Sequence, residues 1–160
     1  MSDPKVTNAT FVIERVINAS PARIFAAYST LEAKNNWFKA PAEVVTLHRD
    51  FDFRPGGKER FHARWPDGNL TDFQATYHDI IENERMVLVY DMYAGGLKLS
   101  VSLLTIELVD EGGKTRLIHT EQGSYFVGGM SDVESREHGT TWHIENLKAQ
   151  LEGEKAVAWS

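Results

Sequence analysis

Between Glu43 and Ser124 strand-like runs alternate with turn signals at roughly 8 to 15 residue spacing, the pattern of an antiparallel meander. The turns are Arg54-Pro55-Gly56-Gly57, Trp65-Pro66-Asp67-Gly68-Asn69, Glu82-Asn83-Glu84, Ala94-Gly95-Gly96 and Asp110-Glu111-Gly112-Gly113. Each supplies a pre-set φ or an easy positive φ. Links this short join antiparallel neighbours, and six strands fit the stretch. Phe61, Ala63 and Trp65 fall on the face opposite Arg60, His62 and Arg64, and Phe73, Ala75 and Tyr77 on the face opposite Asp72, Gln74 and Thr76. One face is dry and one wet, so another element has to cover the dry one.

The C-terminal segment predicts that cover, a long helix from about Ser131 to Gly153. Ser131-Asp132-Val133-Glu134 has capping-box spacing, Thr140, Ile144, Leu147 and Leu151 form an apolar stripe, and Gly153 is a stop. Upstream, Ala9 to Ala19 reads as a first strand. Ser20 and Pro21 then start a helix carrying Ile24, Phe25 and Tyr28, and Thr30 caps a second helix, Leu31 to Trp37, which ends before Ala40-Pro41. The expectation is an α+β chain in which a curved antiparallel sheet of about seven strands wraps around a long C-terminal helix. It forms one domain over residues 1–160 with an ordered core from about 9 to 153.

A formal charge of −6 argues against nucleic acid as a partner, because phosphate binding relies on a Lys/Arg surplus. The absence of Cys excludes disulfides, a thiolate nucleophile and Cys-based metal sites. The start lacks the layout of a signal peptide and no apolar run approaches a bilayer span, so the chain reads as cytoplasmic with no membrane insertion. His138 and His143 are five apart and no His-Glu-x-x-His occurs, so no metal is expected. Gly56-Gly57-Lys58 belongs to a hairpin turn, and no phosphate or dinucleotide loop is present, so no cofactor is expected. The row Lys58, Arg60, His62, Arg64 reads as a solvated sheet face.

The order strand, two short helices, six strands, long helix resembles the helix-grip architecture of the SRPBCC superfamily, which includes birch-pollen-allergen-like proteins, START-type lipid-transfer domains and polyketide cyclases. The run Asp52-Phe53-Arg54-Pro55-Gly56-Gly57-Lys58-Glu59-Arg60-Phe61, followed by Pro66-Asp67-Gly68, is similar to the strand-turn-strand of the family named after the activator of the heat-shock-protein-ninety ATPase. Ile13 to Phe25, Trp37-Phe38, Tyr77-His78-Asp79-Ile80 and Glu84-Arg85-Met86-Val87 resemble further pieces of that family in the same order. Two departures stand out. Asn83 occupies a turn where the family usually has Pro, and Gly139-Thr140 stands where it commonly has Gly-Trp, with Trp142 expected to point away from the ligand side.

The resemblance implies a cleft between sheet and helix that holds small apolar molecules. Its candidate lining is Phe25, Trp37, Phe61, Trp65, Phe73, Tyr77, Tyr90, Thr140, Ile144 and Leu147, the alternative being that these residues fill a core. On the last strand Leu117, His119 and Glu121 share one face and Ile118, Thr120 and Gln122 the other, with the inward face left open by the pattern. An inward His119 beside Glu121, with Tyr77, would form a candidate catalytic acid-base set. The leading expectation is a binding protein for a small hydrophobic or amphipathic ligand. The alternatives are a co-chaperone-like interaction module, disfavoured because Met1 to Ala9 is too short for a further domain, and a cyclase- or hydrolase-like enzyme. Exposed edge strands leave a homodimer open.

Overall fold

A computed structural model describes residues 2–160. Strand β1 (Thr7–Ile17) is followed by helices α1 (Pro21–Ser29) and α2 (Leu31–Lys34). Strands β2 (Val45–Phe51), β3 (Lys58–Arg64), β4 (Leu70–Ile81), β5 (Arg85–Ala94), β6 (Leu97–Asp110) and β7 (Thr115–Tyr125) come next, and α3 (Gly129–Leu151) is the last element. The strands form one sheet in the order β1-β7-β6-β5-β4-β3-β2, antiparallel at every junction. From β2 to β7 each strand pairs with its sequence neighbour, as the short turns require, while α1 and α2 carry the chain from one sheet edge to the other. With α3 against it, the curved open sheet is the α+β helix-grip fold that the element order anticipates.

Local chemistry sets the boundaries. Ser20 accepts a hydrogen bond from the Arg23 amide at 3.2 Å and Thr30 one from the Ala33 amide at 3.1 Å, so both expected caps form. Helix α2 stops at Lys34, short of Trp37, because Asn35 and Asn36 are poor helix formers. Strand β1 runs Thr7–Ile17, two residues earlier than the expected Ala9 to Ala19, since its pairing with β7 ends at Ile17 opposite Thr115. Helix α3 begins at Gly129, before Ser131, and the capping box does not form: Asp132 accepts from the Gly128 amide at 3.0 Å and so takes over the helix start. At the other end Gly153 adopts φ 71, with Glu154 donating to the Ala149 carbonyl at 2.7 Å and Gly153 to that of Gln150 at 3.3 Å, a Schellman stop.

The dry face is the one the alternation marks. Phe73, Ala75 and Tyr77 of β4 are buried, as are Leu117, His119 and Glu121 of β7, which settles the face of β7 that looks inward. Ile144 and Leu147 of α3 close over them, while Thr140 and Leu151 at the ends of the stripe are half-buried. Each large apolar side chain so buried contributes about 1.5–3 kcal/mol before the entropy of ordering the chain is counted. On the wet face Arg60 forms a two-pronged bond with Asp72, at 3.0 and 2.8 Å.

Two turns have residue-specific reasons. A Cβ on Gly57 would lie 2.0 Å from the Asp52 carbonyl oxygen, so only glycine fits there. That close turn lets Gly56 donate to the Tyr77 carbonyl at 2.8 Å while Tyr77 donates to the Gly57 carbonyl at 2.9 Å, which pins Tyr77 in place. Asn83 has φ 62, a conformation closed to proline, which accounts for one departure from the family pattern.

Residues 154–160 lie back along α3. The Val157 amide donates to Asn146 Oδ1 and Trp142 Nε1 donates to the Val157 carbonyl, both at 2.8 Å, and the Trp159 ring packs edge-on against Trp142 with centroids 5.0 Å apart. The chain beyond Gly153 is therefore packed against α3. Among the described residues no helix is long and apolar enough to cross a membrane.

Candidate functional site

Two adjoining chambers occupy the space between the dry face of the sheet and α3. The outer one, about 230 Å³, is walled by Phe61, Trp65 and Phe73 from the sheet side and by Thr140, Trp142 and Trp159 from the helix and tail. The inner one, about 60 Å³, lies among Trp37, Tyr77, Leu88, Ile106, His119 and Ile144. Phe38, Phe73, Tyr90, Thr140 and His143 border both. The linings are mostly apolar and aromatic, with a few polar groups converging on the inner chamber, the usual make-up of a small-molecule site.

Behind one wall of the inner chamber is a buried charge cluster. Glu59 is 1% exposed; it accepts from Lys34 Nζ at 2.7 Å and from the Tyr77 hydroxyl at 2.6 Å, and it is ion-paired with the Arg49 guanidinium at 2.8 Å. Burial raises the Glu59 pKa, but Lys34 and Arg49, helped by the hydrogen bonds from Lys34 and Tyr77, outweigh it and hold the carboxyl below its ordinary range. Burial pulls Lys34 downward, opposed chiefly by Glu59. Lys34 Nζ also sits 4.6 Å from the Phe38 ring centroid and the Arg49 guanidinium 5.1 Å from that of Phe61, so aromatic faces supply further compensation. The Tyr77 hydroxyl is raised far above its usual pKa by burial and by Glu59, which makes it a donor to Glu59 and leaves it poorly suited to proton transfer.

On the opposite wall Glu121, also 1% exposed, receives the Tyr90 hydroxyl at 2.5 Å and lies 3.1 Å from His119 Nε2. Arg136 of α3 donates to the Tyr90 oxygen at 3.0 Å and stands 4.0 Å from Glu121. His119 turns Nε2 toward the Glu121 carboxylate, which leaves Nδ1 buried and without a partner among the described residues. Burial, and then Glu121, raise the Tyr90 pKa well above its usual value. Between the clusters His143 borders both chambers, with Nδ1 3.4 Å from the Trp37 carbonyl. Burial lowers its pKa to about 4 against the pull of that carbonyl, and nearby Lys34 and His119 depress it further.

Of the ten residues expected to line a cleft, Phe61 and Trp65 border the outer chamber, Trp37, Tyr77 and Ile144 the inner one, and Phe73, Tyr90 and Thr140 both. Phe25 does not take part. It lies about 100° around α1 from the buried Ile24 and packs against Phe53 at 5.5 Å between centroids. Leu147 is fully buried in the core and borders neither chamber. Trp142, expected to point away, borders the outer chamber because the returning tail extends its wall. Of the acid-base candidates, His119 and Glu121 do meet on the inward face, while Tyr77 belongs to the other cluster. Lys34, Arg49, Arg136 and His143 were not among the expected residues. Neither was Glu59, although its place two residues before Phe61 on the dry face was a visible signal.

Comparison with known proteins agrees with this architecture. The family model described as Activator of Hsp90 ATPase homolog 1-like protein matches residues 18–152. An uncharacterized protein from Rhizobium leguminosarum is 40% identical with a TM-score of 0.86, the match covering 93% of this chain and 97% of that one. A protein from Rhizobium loti is 36% identical with a TM-score of 0.84, covering 91% and 99% respectively. One from Chromobacterium violaceum, at 21% identity and a TM-score of 0.72 over 89% and 96%, shares the fold. No curated protein matches the chain. With the helix-grip sheet, the Pro-Gly-Gly turn and a family match over most of its length, the chain belongs to the Activator of Hsp90 ATPase homolog 1-like family of the SRPBCC superfamily.

Proposed function

We propose that the protein binds a small hydrophobic or amphipathic molecule in the chambers between the sheet and α3. The observation that carries this reading is the pair of adjoining spaces, about 230 and 60 Å³, left open where protein interiors ordinarily pack closed. Helix-grip architecture and membership of the family are consistent with it. Gly139 offers a direct test: it borders the outer chamber, a Cβ there meets nothing within 4 Å, and its backbone is ordinary helix. Titration with anilinonaphthalene sulfonate should give a saturable rise in fluorescence that Gly139→Trp abolishes without lowering the unfolding temperature. An unchanged titration in a folded Gly139→Trp protein would place the dye elsewhere and count against the cleft.

The family description supports a second reading, a co-chaperone-like contact with a protein partner. Stimulation of the chaperone ATPase by the purified chain is its test, and the absence of stimulation counts against it. A cyclase- or hydrolase-like reaction has one feature behind it, the inward His119 with its unpartnered Nδ1. Turnover lost in His119→Asn with ligand affinity retained would support that reading.

A further inference from the structure

Among the described residues, every charged side chain that borders the two chambers is cationic: Lys39 and Arg136 border the outer one and Lys34 the inner one, and no Asp or Glu borders either, in a chain whose formal charge is −6. The nearby acids are already engaged, Glu59 by Lys34, Arg49 and Tyr77, and Glu121 by Tyr90 and His119.

Lys34 is the cation with least access to water, at 5% exposed. An ammonium has three N–H groups. Glu59 takes one at 2.7 Å and the Tyr77 oxygen a second at 3.3 Å, which leaves one without a partner among the described residues. Two cations share the single Glu59 carboxylate, so a protonated Lys34 leaves one positive charge uncompensated. A charge in that position is costly unless something pairs with it. The inner chamber that Lys34 borders, about 60 Å³, is several times the roughly 10–15 Å³ that one water needs, enough for a carboxylate. The apolar outer chamber opens from it through shared walls at Phe73 and Thr140.

We propose that the ligand is a monoanionic amphipath, an organic carboxylic acid whose carboxylate sits against Lys34 in the inner chamber and whose chain or ring lies in the outer one. The proposal rests on the ligand-binding reading above and narrows it to one chemical class. A single free N–H and a single surplus charge suit a carboxylate better than a phosphate, which brings nearly two charges and more acceptors to satisfy.

The test is calorimetric titration of the full chain with two matched sets, decanoate, decanol and decylamine, and naphthoate, naphthyl methanol and naphthylmethylamine. Within at least one set the acid should bind about tenfold or more tighter than the alcohol, the gain expected of a charge-assisted hydrogen bond, and the amine weaker than the alcohol. Lys34→Met should bring the acid down to the level of the alcohol, whereas Lys114→Met, at an exposed position that borders neither chamber, should leave the preference intact. Equal binding of acid and alcohol overturns the anionic assignment and leaves the apolar-ligand reading standing. A preference that survives Lys34→Met overturns Lys34 as its seat. No binding by any member overturns both readings. Should Lys34→Met fail to fold, the ratios measured on the unaltered chain still decide the ligand's charge.

Discussion

Glu59 and Glu121 are equally buried, and each accepts from a tyrosine hydroxyl, but they are neutralised differently. Glu59 is enclosed by two cations in direct contact, Lys34 at 2.7 Å and Arg49 at 2.8 Å. Glu121 has its one cation at 4.0 Å and relies on hydrogen bonds from Tyr90 and His119. At the first site the acid is what allows two positive charges to be buried together. At the second the acid is the guest of mostly neutral donors. The first cluster should therefore tolerate loss of its carboxylate worse than the second.

The sharpest way to break the comparison is to neutralise each acid in turn. Glu59→Gln leaves Lys34 and Arg49 facing each other without an anion and should cost about 3–5 kcal/mol in urea unfolding. Glu121→Gln keeps an acceptor for Tyr90 and strands no contacting cation, so about 1–3 kcal/mol is expected. Equal losses in the two variants would show that contact distance to the cations does not set the difference.

A pH titration sharpens it further, because His143 lies between the clusters. Its folded pKa of about 4 lies below the ordinary 6.5, so between those values the unfolded chain holds the proton that the folded one refuses. Stability should therefore be complete above about pH 6.5 and fall as the pH drops toward 4. Glu59, with its lowered pKa, adds a further loss only below the ordinary carboxylate range. His143→Phe should flatten the first decline and leave the second. A decline unchanged in the variant assigns the sensitivity to another group. The smallest effect belongs to Gly139→Ala, outside both clusters. It should stabilise the helix by about 1 kcal/mol in thermal or urea unfolding, and a loss would reveal a contact at the chamber wall.

The fold could be read from the sequence because its determinants are local. Alternation at Phe73, Ala75 and Tyr77, turn glycines, the Ser20 and Thr30 caps and the Gly153 stop each act within a few residues of themselves. The charged clusters are assembled from afar. Lys34, Arg49, Glu59 and Tyr77 come from α2, β2, β3 and β4, and no period in the chain relates them. Extending the dry parity of Phe61 back by two would have reached Glu59, but a carboxylate in an apolar row reads as an interruption until its partners are known. The tail was opaque for the same reason: Val157 and Trp159 gain their places from Asn146 and Trp142 on α3, not from any periodicity of their own.

All four tryptophans of the chain face the chambers, Trp65, Trp142 and Trp159 the outer one and Trp37 the inner one. The indole emission of this protein is therefore a signal from the walls of the cleft, with no background from tryptophans elsewhere. Trp142 and Trp159, in contact at the rim, should respond as a coupled pair when the tail shifts, while Trp37 registers events deeper in. The molecule carries its own optical probe of occupancy, readable without a label.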